Sequence, residues 1–331
     1  MENSDSDAPT LLKMPEDVMR KILEKVDYFD VASLRKTCHD LRNFIDDVKP
    51  DPCVHNLSIF VTPDEIIFLV VFSNSERPLR VKYCKDQISN TTESTKEVFS
   101  KDRNHVDVFI DDFRIFLKFS ESQTVPMHFM HFYCRHTHDS FFDKIKKFRS
   151  VLKVTSLSIT ASTESEACVI LNLATPGVLK TIQLENPSSH YMLQIAEIPR
   201  MEQWRLAEDV RIDRFDVWSP EPFLHLRKVE AYFLDLSPEY AVLMKETFLA
   251  STNFESFKFH YSRLEDGVFD AIGQYPTIDD YDDYGPKRSW CFRIPGNLEK
   301  ALLIESTEGD NLLCYTSVNL SDVPSDVEIL D

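Results

Sequence analysis

The stretch Leu179-Lys180-Thr181-Ile182-Gln183-Leu184-Glu185 carries apolar residues at its first, fourth and sixth positions and a polar residue, Gln183, between the last two. The same spacing recurs at Val154/Leu157/Ile159, Ala207/Val210/Ile212, Leu226/Val229/Ala231 and Phe254/Phe257/Phe259. The middle members lie 25, 28, 19 and 28 residues apart, inside or close to the period of about 20–29 residues at which strand-containing repeats stack. Between the triplets, helical patterning is expected over 141–152, 164–173, 191–197 and 238–249. A strand alternating with a helix at this period implies parallel strands joined by right-handed crossovers. Such units stack as a short solenoid.

The array is similar to leucine-rich repeats. Their consensus continues with Asn or Cys three residues after the third apolar position, where this chain has Ser162, Pro187, Phe215, Leu234 and Ser262. Lacking that ladder, the repeats are expected to be irregular. If the apolar positions face inward, strand alternation sends the residues between them to the other side. These are Ser156, Ser158 and Thr160; Thr181, Gln183 and Glu185; Asp209, Arg211 and Asp213; Lys228, Glu230 and Tyr232; Ser256, Lys258 and His260. All are polar or amphipathic. An ordinary half-buried sheet also has such a wet face, while solenoids commonly use it to hold a protein. The candidate substrate-binding residues are Arg211, Asp213, Lys228, Glu230, Tyr232, Lys258 and His260, whose mixed charge suits a protein better than a polyanion.

Toward the N-terminus the pattern becomes purely helical. Pro15 suits a first helical position, and Glu16 and Asp17 place negative charge at the positive end of the helix dipole. Val18, Ile22 and Val26 share one face. Asp30 can cap a second helix carrying Leu34, Cys38 and Leu41, until Pro50 and Pro52 stop the pattern. The run Met14-Pro15-Glu16-Asp17-Val18-Met19-Arg20-Lys21-Ile22-Leu23, with Val26-Asp27, Asp30-Val31, Leu34, Cys38-His39 and Leu41-Arg42, resembles an F-box. It departs at Met14 for Leu, Thr37 for Val and Leu41 for an aromatic. The resemblance implies a three-helix module that docks on the Skp adaptor of a cullin-RING ubiquitin ligase. By position the contacts would be Met14, Pro15, Val18, Ile22, Leu23, Val31, Leu34 and Cys38. The same residues could instead form the core of an ordinary helical hairpin.

Residues 53–120 carry strand signals at 55–60, 65–72, 79–83, 106–110 and 113–119, which predicts a β-rich meander with Asp111 and Asp112 in a hairpin turn. Beyond it, His128, His131, Cys134, His136 and His138 invite a metal reading. No His-Glu-x-x-His or paired Cys accompanies them, and Phe129, Phe132, Tyr133 and Phe141 interleave as in a core. No metal or cofactor is therefore expected. Asp280 to Gly285 lacks the oxygen ligand and Glu of a calcium loop at Tyr284 and Cys291, so an acidic loop is expected. The strand-like runs 290–295, 302–305 and 312–318 would close the array.

Composition narrows the function. Among 331 residues, 55 Asp+Glu outnumber 37 Lys+Arg for a net charge of −18, a field that repels a phosphate backbone. The six glycines, where average usage would give roughly 23, are spaced so that neither a dinucleotide fingerprint nor a phosphate-binding loop can be written. Seven cysteines without C-x-x-C argue for a reducing compartment, cytoplasmic or nuclear. The acidic start has no signal-peptide pattern. The longest apolar run, 66–72, is far short of a membrane span of about 20 residues, so neither nucleic acid nor membrane is expected as a partner. Lys144, Lys146, Lys147 and Arg149 read as a wet helix face rather than a nuclear signal.

A second resemblance covers about 125–261. Met201-Glu202-Gln203-Trp204, then Phe223-Leu224-His225-Leu226-Arg227-Lys228-Val229-Glu230, then Phe248-Leu249-Ala250-Ser251-Thr252-Asn253-Phe254-Glu255 is similar to the FTH domain, which accompanies an F-box in the nematode F-box A family. Trp204 and Trp218 are expected in its core. The fold expected is mixed α/β: flexible residues 1–10, an F-box over 11–50, a β-rich connector over 51–124, an irregular leucine-rich-repeat-like solenoid of FTH type over 125–262, and an acidic loop with capping strands over 263–331. The resemblances imply a non-catalytic adaptor that binds a Skp-type protein, through it a cullin, and a protein substrate. The rivals are a regulatory scaffold without ubiquitination and a metalloenzyme on the histidine cluster.

Overall fold

The computed structural model describes residues 13–26, 28–85, 96–98, 103–135, 139–149, 152–188, 193–274, 277–279, 287–307, 309–325 and 327–330. The chain divides into two compact units, one drawn from 1–131, 137–155 and 173–175, the other from 132–136, 156–172 and 176–331.

The first unit opens with α1 (Glu16–Leu23), α2 (Tyr28–Leu34) and α3 (His39–Val48). Strands β1 (Val54–Val61), β2 (Glu65–Phe72) and β3 (Leu79–Cys84) form an antiparallel meander, with β4 (Lys96–Val98) parallel to β3. On β2, alternate residues Ile66, Phe68, Val70 and Phe72 are buried. Then follow α4 (His105–Ser120), β5 (Met127–Cys134), whose residues from Phe132 on belong to the second unit, and α5 (Asp139–Ile145). The expected helix over 141–152 thus stops early, at Ile145.

Helix α4 corrects the sequence reading of two strands around an Asp111-Asp112 turn. Read as one segment, the buried Val106, Phe109, Ile110, Phe113, Phe116 and Leu117 recur at helical spacing. The Asn104 side chain accepts a hydrogen bond from the Val106 amide and caps the helix. Its aromatic stripe packs edge-on against Phe68, with the Phe116 ring 5.2 Å away. Asp111 pairs with Arg103 at 2.5 Å and Arg114 at 3.0 Å, and Asp112 accepts from the Tyr83 hydroxyl at 2.9 Å. Both carboxylates are thereby placed on the middle of a helix.

The chain leaving α3 is tied down by one carboxylate. Asp51 accepts from the Cys53 amide at 2.8 Å, and from the Thr124 amide and hydroxyl at 2.9 and 2.6 Å. Burial raises its pKa, but the Thr124 and Cys53 hydrogen bonds outweigh it and hold the carboxyl below its ordinary value. A depressed folded pKa stabilises the fold above the unfolded value of about 3.9, and that contribution is lost as pH falls through the folded value. Acid titration of stability should show a steeper loss below about pH 4 for wild type than for Asp51→Asn. Identical acid limbs would sink this assignment.

The second unit contains β6 (Val154–Thr160), α6 (Glu164–Leu171), β7 (Thr181–Glu185), β8 (Leu193–Gln194), α7 (Glu202–Arg205), β9 (Asp209–Asp213), β10 (Phe215–Asp216), β11 (Lys228–Leu236), α8 (Pro238–Ala250), β12 (Ser256–Leu264), α9 (Val268–Ile272), β13 (Thr277–Asp279), β14 (Lys287–Arg293), β15 (Lys300–Thr307), β16 (Leu312–Asn319) and β17 (Ile329–Leu330). Strands β6, β7, β9, β11 and β12 are parallel neighbours in that order. From β12 the sheet continues antiparallel through β16, β15, β14 and β13, with β17 parallel to β14. All fifteen members of the apolar triplets are buried, none more than 6% exposed.

Local signals set the α6 boundary. Thr163 and Glu166 form a reciprocal capping box. The neighbouring Glu164 Oε1 accepts from three successive amides, Ala196, Glu197 and Ile198, at 2.7, 2.6 and 3.0 Å. That contact and the pairing of β8 with β10 explain why the helix expected over 191–197 does not form: bonds from elsewhere in the chain claim the backbone. Within the described part of that segment, Leu193 and Gln194 are a short strand instead.

Candidate functional site

The N-terminal helices hold a small core of Leu23, Val31 and Ile45, with Val26, Leu34, Phe44, Val48 and Phe119 of α4 packed around it. This divides the eight expected contact residues. Leu23 and Val31 are 3% and 5% exposed and face inward, and Leu34 packs against them. Pro15, Val18 and Cys38 are exposed, Val18 by 42%, while Met14 and Ile22 are half-buried. An apolar strip along α1 therefore stays open to solvent. Thr37, which stands where the family has Val, donates its hydroxyl to the Leu34 carbonyl at 2.7 Å, so its polarity is satisfied locally. Sequence reading missed Ile45, fully buried at the centre of this core; its signal is the helical step of four from Leu41.

On the wet face of the parallel strands, Gln183, Arg211, Glu230, Lys258 and Cys314 form one cross-strand row. Arg211 reaches Glu230 at 3.4 Å, and Lys228 pairs with Glu255 at 2.7 Å. Tyr232 hydrogen-bonds Ser262 through their hydroxyls. Five of the seven expected residues, Arg211, Asp213, Glu230, Tyr232 and His260, surround one cavity of about 390 Å3, completed by Asp310 and Asn311. Lys228 and Lys258 lie outside its lining. Among the fifteen interleaved residues Thr160 departs from expectation, being only 2% exposed. Asp209 is pushed up by burial against the pull of Arg227, with which it pairs at 2.7 Å.

The histidine cluster is split by its strand. On β5, Met130, Phe132 and Cys134 are buried, whereas Phe129, His131 and Tyr133 alternate with them. His131 lies edge-on to Phe60 and His128 stacks on His55. His136 and His138 lie outside the described residues, as does the acidic loop at 280–286. No group of three metal-ligating side chains converges among the described residues. Burial raises the Cys134 thiol well above its ordinary value and pushes Cys168 up to about 12 and Cys314 up to about 11, so none of the three is a thiolate at neutral pH. Lys144 and Lys146 pair with Asp107 and Asp143 at 2.5 and 2.6 Å, as a wet helix face does. Trp204 is fully buried, its indole donating to the Pro222 carbonyl at 2.9 Å. Trp218 corrects the core expectation: it is 65% exposed, because the bridge of neighbouring Val217 to Phe233 buries that residue and turns the next side chain out.

A family model described as the F-box domain matches residues 11–52, and one described as the FTH domain matches residues 127–271. The chain carries an F-box and an FTH domain. No curated protein matches the chain, and no solved structure does. The F-box comprises α1 to α3 and ends beside Asp51. The FTH domain runs from β5 to α9 and includes all five parallel strands; β13 to β17 follow it. The F-box supports a general role as a ubiquitin-ligase adaptor, and F-box proteins are typically non-enzymatic. No helix among the described residues is long and apolar enough to cross a membrane.

Proposed function

We propose that the F-box docks on a Skp-type adaptor through the open strip of α1, and that the FTH domain presents a protein substrate to the attached cullin ligase. The exposed Pro15 and Val18, continued by half-buried Ile22, carry this reading, since docking on a partner would remove their apolar surface from water. Leu23, Val31 and Leu34 act from beneath by fixing the helices, while Met14 and Cys38 border the strip. The five parallel strands and their intervening helices are read as an irregular solenoid, whose polar face around Arg211, Asp213, Glu230, Tyr232 and His260 takes the substrate. In this reading residues 51–124 connect the two domains, the strands after 262 close the array, and the protein resides in the cytoplasm or nucleus.

Co-purification with the Skp adaptor tests it. Wild type should form the complex. A Pro15→Ala, Val18→Ala, Ile22→Ala triple that keeps its circular dichroism should lose it, because buried interface anchors cost about 1 kcal/mol or more each, together a weakening of at least about a hundredfold. Undiminished binding by the triple, or none by folded wild type, overturns the proposal.

A further inference from the structure

A second cavity of about 390 Å3 lies between the F-box and α4, on a side of the module to which α1 contributes no lining residue. Its floor is apolar: Ile45 at the core of the F-box, half-buried Phe119, and Ile115, which is 46% exposed. Its rim is cationic, with Arg35, Lys49 and Lys118. Two carboxylates share the rim and both are engaged. Asp46 is gripped by Arg35 through two bonds of 2.7 and 3.0 Å, and Glu121 meets Lys49 at 3.8 Å. Lys118 has no carboxylate within ion-pair distance among the described residues. The Asp46 carboxyl registers the local field: its hydrogen bond to Arg35 lowers its pKa, and the charges of Arg35, Arg42 and Lys118 add to that lowering against the opposing effect of burial.

The rim carries three cations and two carboxylates, a net charge of +1 on a chain whose net charge is −18. Opposed local charge steers a partner of the opposite sign and fixes its register, and a concave apolar floor with a few convergent polar groups is the usual form of a binding site. We infer that this groove docks an acidic segment of a partner protein, one apolar side chain of which enters between Ile115 and Phe119 while a flanking carboxylate meets Lys118. The site is separate from the α1 strip, so the partner can be held while the adaptor is bound.

The test uses the full chain and a fluorescein-labelled acidic peptide, Asp-Glu-Glu-Phe-Glu-Asp, read by fluorescence anisotropy. Wild type should bind it saturably, with affinity falling as salt rises. Lys118→Glu and Ile115→Ser, both at exposed positions of α4, should each weaken binding about tenfold or more, and a peptide with Gly for Phe should bind as weakly as the Ile115→Ser variant does. Lys300→Glu, at an exposed position on β15, makes the same charge change elsewhere and should leave binding unchanged. Absent saturable binding by wild type, equal binding by Lys118→Glu or Ile115→Ser, an equal loss in Lys300→Glu, or equal binding of the lysine counterpart Lys-Lys-Lys-Phe-Lys-Lys would each overturn the inference.

Discussion

Trp204→Ala should lower stability by about 3–5 kcal/mol, the range for deleting a large buried aromatic. The indole is fully buried. Its ring meets Phe223 edge-on at 5.3 Å, and Phe223 in turn touches Phe233 and Phe257 on neighbouring parallel strands. Truncation therefore opens a void at the junction between α7 and the sheet, and strips the Pro222 carbonyl of its 2.9 Å donor. Trp204→Phe separates the two effects: most of the volume returns, and the remaining loss of about 1–3 kcal/mol reports the unsatisfied carbonyl. Trp218→Ala, at a 65% exposed position, should stay within about 0.5 kcal/mol of wild type. Urea unfolding followed by far-ultraviolet circular dichroism measures all three. A Trp204→Ala loss no larger than that of Trp218→Ala would refute the assignment of Trp204 as the keystone of the FTH core.

Ile45→Ala should cost about 2–5 kcal/mol, concentrated in the F-box. Among the described residues of that module the buried apolar side chains are few, Leu23, Val31, Leu41 and Ile45, and a module of about 40 residues has little other core to compensate. The amides of α1 to α3 should lose hydrogen-exchange protection, while the β1–β3 meander, which packs on Phe109, Phe113 and Phe116 instead, should keep it. Ile45→Val, which leaves most of the contacts, should cost only about 0.5–1.5 kcal/mol. Since the α1 strip depends on this core for its geometry, the adaptor complex should weaken in Ile45→Ala although none of the proposed contacts is altered. Unchanged protection across α1 to α3 would show that the core is held by something else.

The parallel strands were legible because their signal is local. In each triplet the last two apolar residues alternate with polar ones, and strand geometry alone then decides which face is buried. Val154, Leu179 and Phe254 each stand three residues ahead of their pairs and are buried as well. The F-box was legible for another reason: its residues match a family pattern in order, and that pattern travels with the fold. Where reading failed, two periods competed. In 105–120, Val106 to Ile110 and Phe113 to Phe119 each look like a short apolar strand, and only their joint spacing, with Asn104 as cap, reveals one helix. In 193–200, no local pattern announces that Glu164 holds three amides of a segment about thirty residues later.

The sequence by itself determined which segments carry the five parallel strands, that the F-box precedes an FTH domain, and that these strands bury one face and wet the other. These depend on periodicity and on order along the chain. Tertiary structure alone decided that Leu23 and Val31 support the α1 strip from within while Pro15 and Val18 stay open, that Trp204 is core and Trp218 is not, and that Phe119 closes the F-box from outside its own segment. It also gathered Arg35, Lys49 and Lys118 around an apolar groove. Exposure and charge clustering depend on which distant residues come to lie against a side chain, and no spacing along the chain encodes that.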